Sequence, residues 1–162
     1  MYDKLDAGTE EMPLETWRKM ERQDTLAVYT MMRGFYERCL GAEHLRDDLL
    51  WETIDRCVSS YPYLEGWLIL AEDQTIAGYA MLSRGYDPME AKEYMRLEEF
   101  FILPSCRMNG LGQAFLRQLS ELYPACSGVT IQTAVSDRKS QRLYASLGYH
   151  SLAHTMISKT RN

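Results

Sequence analysis

The segment Met95-Arg-Leu-Glu-Glu-Phe-Phe-Ile-Leu-Pro104 constrains this chain more than any other. Its apolar end does not alternate with polar residues, which marks a strand covered on both faces, and such a strand lies centrally in a sheet. Directly after it comes Ser105-Cys-Arg-Met-Asn-Gly-Leu-Gly112, and then Ala114, Phe115, Leu116, Leu119 and Leu122 supply the inner side of a helix. Strand, glycine loop and helix in that order predict an α/β (α+β) fold. They also leave the first backbone N–H groups of the helix unpaired at the positive end of its dipole, a setting that suits phosphate. The loop reads R-x-x-G-x-G from Arg107 to Gly112, so it is neither G-x-G-x-x-G nor a P-loop and predicts neither NAD nor ATP. A helix start that is merely capped would show the same pattern.

The rest of the chain divides readily. Leu14 to Met20 can alternate as a first strand, and Gln23-Asp24-Thr25 offers capping chemistry ahead of Leu26, Tyr29, Met32, Phe35 and Tyr36 at helical spacing. A second helix runs from about Leu45 to Ser59, closed by Ser59-Ser60-Tyr61-Pro62. Gly66 to Leu82 holds two apolar runs around the turn Glu72-Asp73-Gln74 and predicts an antiparallel hairpin, followed by a polar loop from Arg84 to Lys92. Beyond the glycine loop and its helix, we expect a strand over Val129 to Ala134, a helix over Asp137 to Leu147 ended by Gly148, and a last strand over Tyr149 to Ser158. Residues 1–13 are polar and without periodicity and count as an extension, with a single domain over 14–160.

Composition narrows the function. A formal net charge of −5 lacks the basic stripe that neutralises phosphate backbones, which argues against nucleic acid as a partner. No apolar stretch approaches the roughly 20 residues of a membrane span, and the acidic N-terminus does not read as a signal peptide. Cys39, Cys57, Cys106 and Cys126 form no C-x-x-C pair and do not combine with His44, His150 or His154 into zinc-ligand spacing, so no metal is expected. Reduced thiols point to a cytoplasmic protein.

Three side chains carry candidate chemistry. Glu98 and Glu99 adjoin Phe100, Phe101 and Ile102, where desolvating a carboxylate is costly without a cationic partner or a function. If the strand begins outside the core, both are simply solvated. On a regular strand the two point to opposite faces, and Glu98 shares parity with Phe100 and Ile102, which favours Glu98 as the base that meets a substrate. Tyr144 lies one turn before Gly148 on a helix whose core stripe includes Leu143 and Leu147, so a core aromatic is the alternative to an acid. Cys106 has no histidine near it in sequence and reads as a small filler rather than a nucleophile.

A strand ending at Pro104, then R-x-x-G-x-G, then about thirty residues, then L-Y-x-x-L-G-Y at Leu143 to Tyr149 resembles the acetyl-CoA-binding region of the GNAT N-acetyltransferases. The similarity in element order spans about Leu14 to Ser158. It implies a mixed, mainly antiparallel central sheet flanked by helices, and acetyl-CoA as co-substrate. It further implies that backbone N–H groups of Met108, Asn109, Gly110, Leu111 and Gly112, with Arg107 opening the loop, hold the pyrophosphate. The edge of Phe100, Phe101 and Ile102 would pair with the pantetheine arm, and Tyr144 would protonate the departing thiolate.

Within that superfamily, Leu97-Glu-Glu-Phe-Phe-Ile-Leu together with Tyr86-Asp-Pro88 is similar to the spermidine/spermine (diamine) acetyltransferases. That likeness assigns the substrate-side acid to Glu98 and amine-binding carboxylates to Glu99 and Asp87; we expect the nearby acids Glu90 and Glu93 to be outer members of the same entrance. It implies direct acetyl transfer to a small primary amine such as a polyamine or diamine, and dimers are common in families of this type, which admits a homodimer. The rival readings are the same chemistry on an amino acid, an aminoglycoside or a protein N-terminus, or a non-catalytic CoA-binding module. The presence of both an acid at Tyr144 and a base at Glu98 argues against the last.

Overall fold

The computed structural model describes residues 16–133 and 136–152. Five strands form one sheet in chain order: β1 (Trp17–Lys19), β2 (Leu64–Leu70), β3 (Ile76–Asp87), β4 (Lys92–Ile102) and β5 (Val129–Ile131). All neighbours are antiparallel except β4 and β5, which run parallel. Helices α1 (Thr25–Leu40) and α2 (Asp47–Val58) separate β1 from β2, α3 (Leu111–Gln118) follows the glycine loop, and α4 (Arg138–Ser146) follows β5. This is the mixed, mainly antiparallel sheet with flanking helices that the sequence predicts.

Period-two alternation along the strands produces two cores, one on each face of the sheet. Leu68, Leu70, Tyr79 and Met81 pack with Val28, Met32, Leu50 and Ile54 from α1 and α2. Ile69, Ala80 and Leu82 point the other way and pack with Phe115, Leu116 and Leu119 from α3 and the turn after it. Entry into α1 is fixed by Asp24, 5% exposed, whose carboxylate takes both Arg18 nitrogens at 2.7 and 2.8 Å and the Glu21 amide at 2.8 Å. The Arg18 guanidinium holds its carboxyl below the usual aspartate value.

Several of the expected boundaries change. The polar stretch Arg84 to Lys92 is not a loop, since β3 extends to Asp87, β4 starts at Lys92, and only residues 88–91 turn. Polar cross-strand pairs hold this extension: Arg84 bridges Glu93 at 2.5 Å and Glu65 at 2.7 Å, and the Tyr94 ring lies where a Gly85 side chain would be. The last strand is not seen over residues 149–152, which carry no regular structure, and its remainder lies outside the described residues. So do Ala134, the expected end of the strand at β5, which here stops at Ile131, and the N-terminal extension.

Glycines test the packing. A Cβ on Gly78 would sit 2.2 Å from the Phe101 carbonyl oxygen, so backbone must move. Gly78→Ala is expected to cost about 3 kcal/mol. Gly34, inside α1, has nothing closer than 4.0 Å, and Gly34→Ala should stabilise by about 0.5–1 kcal/mol through helix entropy. Urea unfolding of both variants checks the pair, and equal midpoints would contradict the packing.

Candidate active site

β4 and β5 pair only at Met95 with Val129, Arg96 with Thr130 and Leu97 with Ile131. From Glu98 to Ile102, β4 stays paired with β3 on one edge but has no described strand on the other, so the parallel pair opens. A cavity of about 290 Å³ occupies this opening, lined by Glu98, Glu99, Phe100 and Phe101 of β4, Ile131 and Gln132 at the end of β5, Tyr144 of α4, Phe35 and Tyr36 of α1 and Tyr79 of β3.

The acids do not lie as a regular strand would place them. Met81 faces Glu99 whereas Leu82 faces Leu97, which leaves Glu98 as the extra residue of a β-bulge. The bulge breaks parity: Met95 and Leu97 before it and Phe100 and Ile102 after it all pack on the α3 side. Glu98 therefore does not share a face with Phe100 and Ile102, and the expectation that only one of the two acids meets the cavity is overturned, because both line it. Ser83 donates its hydroxyl to exposed Glu98. Glu99 is half-buried and accepts one phenol on each oxygen, from Tyr36 on Oε1 and from Tyr79 on Oε2, the latter at 2.9 Å. Burial and the adjacent Glu99 carboxylate push both phenols well above the ordinary tyrosine value. They stay protonated donors, and the carboxylate keeps lone pairs free for an ammonium group.

Tyr144 faces these acids from α4. Burial, and then the Asp137 charge, raise its phenol above the ordinary tyrosine value, which favours the protonated form. Its position is braced by Tyr149, whose ring meets it edge-on at 5.9 Å and whose hydroxyl donates to the Leu116 carbonyl at 2.8 Å. Asp137 caps α4 by accepting the Ser140 amide at 3.0 Å.

The glycine loop lies at the end of β4. Arg107 donates Nε–H to the Ile102 carbonyl at 3.0 Å, tying the loop to the strand rather than leaving its guanidinium free. Met108 and Gly110 both adopt left-handed backbone, with φ of 71° and 75°, and Met108 and Asn109 are exposed. The first helical bond of α3 runs from the Ala114 amide to Gly110, so the amides of Leu111, Gly112 and Gln113 open the helix unpaired. A Cβ on Gly112 would press within 3.1 Å of Phe100 and 3.2 Å of Ile102, while Gly110 has open space around it. An extended ligand with an anionic end fits this arrangement, which combines an open strand edge, a cavity beside it and a helix N-terminus.

Asp87 is not brought to this cavity. It pairs with Lys92 at the far tip of the β3–β4 hairpin, about 20 Å along the strand from Glu98, and its carboxylate accepts the Met89 and Glu90 amides. Glu93 is engaged by Arg84 near that same end. The residues that sequence reasoning missed are Tyr79 and Ser83. Tyr36 was legible as an aromatic of the α1 stripe that walls a pocket, but not as a hydrogen-bond partner of Glu99.

Among the described residues, no three potential metal ligands gather and no helix is long and apolar enough to cross a membrane. Cys39, Cys57, Cys106 and Cys126 are all free thiols.

No curated protein matches the sequence. Solved structures do match the fold. A possible acetyltransferase from Clostridium difficile 630 superposes with a TM-score of 0.78 at 10% identity, over 90% of this chain and 97% of that one. AAC(6')-Iy, solved with the bisubstrate analogue CoA-S-monomethyl-acetylneamine, gives 0.69 at 18% identity over 90% and 97%. Ribosomal-protein-alanine N-acetyltransferase from Brucella melitensis biovar Abortus 2308 gives 0.69 at 10% identity over 89% and 99%. At these identities the likeness is one of fold. The family pattern of the GNAT acetyltransferases, in contrast, matches the sequence itself over residues 25–149, from the start of α1 to the tyrosine that braces Tyr144. With the opened β4–β5 pair and the glycine loop in their family order, the chain belongs to the acetyltransferase (GNAT) family and is an N-acetyltransferase.

Proposed function

We propose that this chain moves an acetyl group directly from acetyl-CoA to a small primary amine, with Glu98 and Tyr144 as base and acid and Glu99 as the group that holds the amine. The observation that carries the reading is the meeting of Glu98, Glu99 and Tyr144 around one cavity where β5 leaves the edge of β4. When bound, acetyl-CoA supplies the activated acyl group. Backbone groups of Phe100 to Ile102 and amides from Met108 to Gly112 would hold it, with Arg107 fastening the loop.

An alkyl amine near pKa 10 is almost wholly protonated at neutral pH, and freeing its lone pair costs about 4 kcal/mol. Glu99, fixed by two phenols, orients the ammonium. Glu98, on the bulge and open to solvent, takes the proton directly or through a water. Tyr144 keeps its own proton for the leaving sulfur.

The diamine and polyamine form of this reading draws support from the two adjacent acids. Against it stands the separation of Asp87, Glu90 and Glu93 from the cavity along the hairpin, so a single ammonium group is the requirement the geometry supports best. A cytoplasmic setting, supported by the four free thiols, belongs to the same reading.

Thiol release from acetyl-CoA across a panel of amines tests it. Primary amines should accelerate release, free α-amino acids should be poor because they bring like charge to the two acids, and a chain that binds CoA calorimetrically while releasing no thiol with any amine would be a binding module instead.

A further inference from the structure

A second cavity of about 260 Å³ lies between α1 and α2 and shares Tyr36 and Glu99 with the first. Its other walls are mostly apolar, with Met32 from α1 and Leu45, Leu49 and Leu50 from the start of α2 and the residues before it. Glu99 is its only acid. Arg46 and His44 stand at its wall, and Arg46 is already paired with Asp48 through two bonds of 2.9 and 2.7 Å.

We propose that the acceptor is a primary monoamine with an alkyl or phenylalkyl body, its nitrogen at Glu99 and its body in this second cavity, a proposal that rests on the amine acetyltransferase reading above. The shared wall decides the orientation. Among the described residues that line this cavity, Glu99 alone offers a carboxylate to an ammonium group, and a chain continuing from it away from Tyr144 enters apolar surface. A second ammonium group at the far end would meet leucines, a methionine and the Arg46 guanidinium, which already holds Asp48, and no lining carboxylate other than Glu99. Size follows from volume: an apolar cavity of about 150 Å³ holds benzene, so this one has room for a phenylethyl group or an alkyl chain of about six to eight carbons.

The test is a series of n-alkylamines from ethyl to decyl, with the α,ω-diaminoalkanes of matched length, measured as kcat/KM for thiol release. The same amines are titrated calorimetrically into the protein with CoA present. Each methylene moved from water into the cavity should raise kcat/KM about fourfold (about 0.8 kcal/mol) until the cavity is full, after which the curve flattens. Calorimetric affinity should climb with the same slope. Each diamine should fall at least about tenfold below its monoamine. Leu49→Asp, at a position half exposed on the cavity rim, should reduce the slope by about half.

Amines acetylated with no dependence on chain length, or diamines equal to or better than monoamines, would overturn this proposal and leave the acetyltransferase reading standing. A slope unchanged in Leu49→Asp would remove the cavity as its cause. Thiol release by no amine of any length would overturn both.

Discussion

Replacing Glu98 by glutamine is expected to lower turnover about a hundredfold at pH 7 and only a few-fold at pH 10. A general base matters most while the amine is protonated, and its contribution of about 10² shrinks as free amine becomes abundant. Glu99→Gln should behave differently. Its carboxylate receives Tyr36 and Tyr79 on separate oxygens. Glutamine keeps the shape but turns one acceptor into a donor, so one phenol must rotate its proton away and the negative charge that attracts the ammonium is gone. The amine KM should rise at least about tenfold, with a smaller change in kcat. The two profiles, measured from pH 6 to 10, separate the roles. An equal loss in Glu98→Gln at every pH would move the base assignment off Glu98, and the converse result, a pH-dependent loss in Glu99→Gln with KM intact, would move it to Glu99.

That the two acids share a cavity could not be read from the chain, because their facing is set by a bulge. A bulge is a property of pairing: it exists because Leu82 opposes Leu97 while Met81 opposes Glu99, partners fifteen to eighteen residues apart. Nothing in Leu97-Glu-Glu-Phe records it. The glycine loop was legible because its conformations are local, with Gly110 in left-handed backbone and α3 starting just beyond it. The β2–β3 hairpin was legible from its two apolar runs around a polar turn, and the inner side of α3 from the stripe of Phe115, Leu116 and Leu119, which pack in one core. The polar half of the β3–β4 hairpin was not, since Arg84 and Glu93 look like loop residues until Glu65 on β2 supplies the third charge that makes a ladder of them. Tyr79 was hidden for a related reason. A fully buried strand aromatic reads as core, and only its hydroxyl, reaching Glu99 across the sheet, shows that it also belongs to the site.

Tyr144→Phe should retain binding of acetyl-CoA and lose about 10²-fold in turnover. The ring itself packs into the α3–α4 core and against Tyr149, so phenylalanine preserves the fold and the cavity wall. What is removed is one hydroxyl, from a residue that lines the same cavity as Glu98 and Glu99. A thiol resembling cysteine has a pKa near 8.5, so a departing thiolate is a better leaving group once a proton is at hand, and a phenol raised above the ordinary tyrosine value by burial and by Asp137 keeps its proton better than a free tyrosine does. The sign of the pH dependence follows. A raised phenol pKa keeps the acid form available as pH rises, so the wild-type rate should show no falling limb between pH 6 and 9 on account of Tyr144, and the deficit of the variant should stay constant over that range. Pre-steady-state thiol release with a saturating amine separates this step from amine deprotonation. A variant as fast as the wild type at every pH would make Tyr144 a packing residue, and a variant whose CoA affinity falls in step with turnover would show that the hydroxyl serves binding rather than proton transfer.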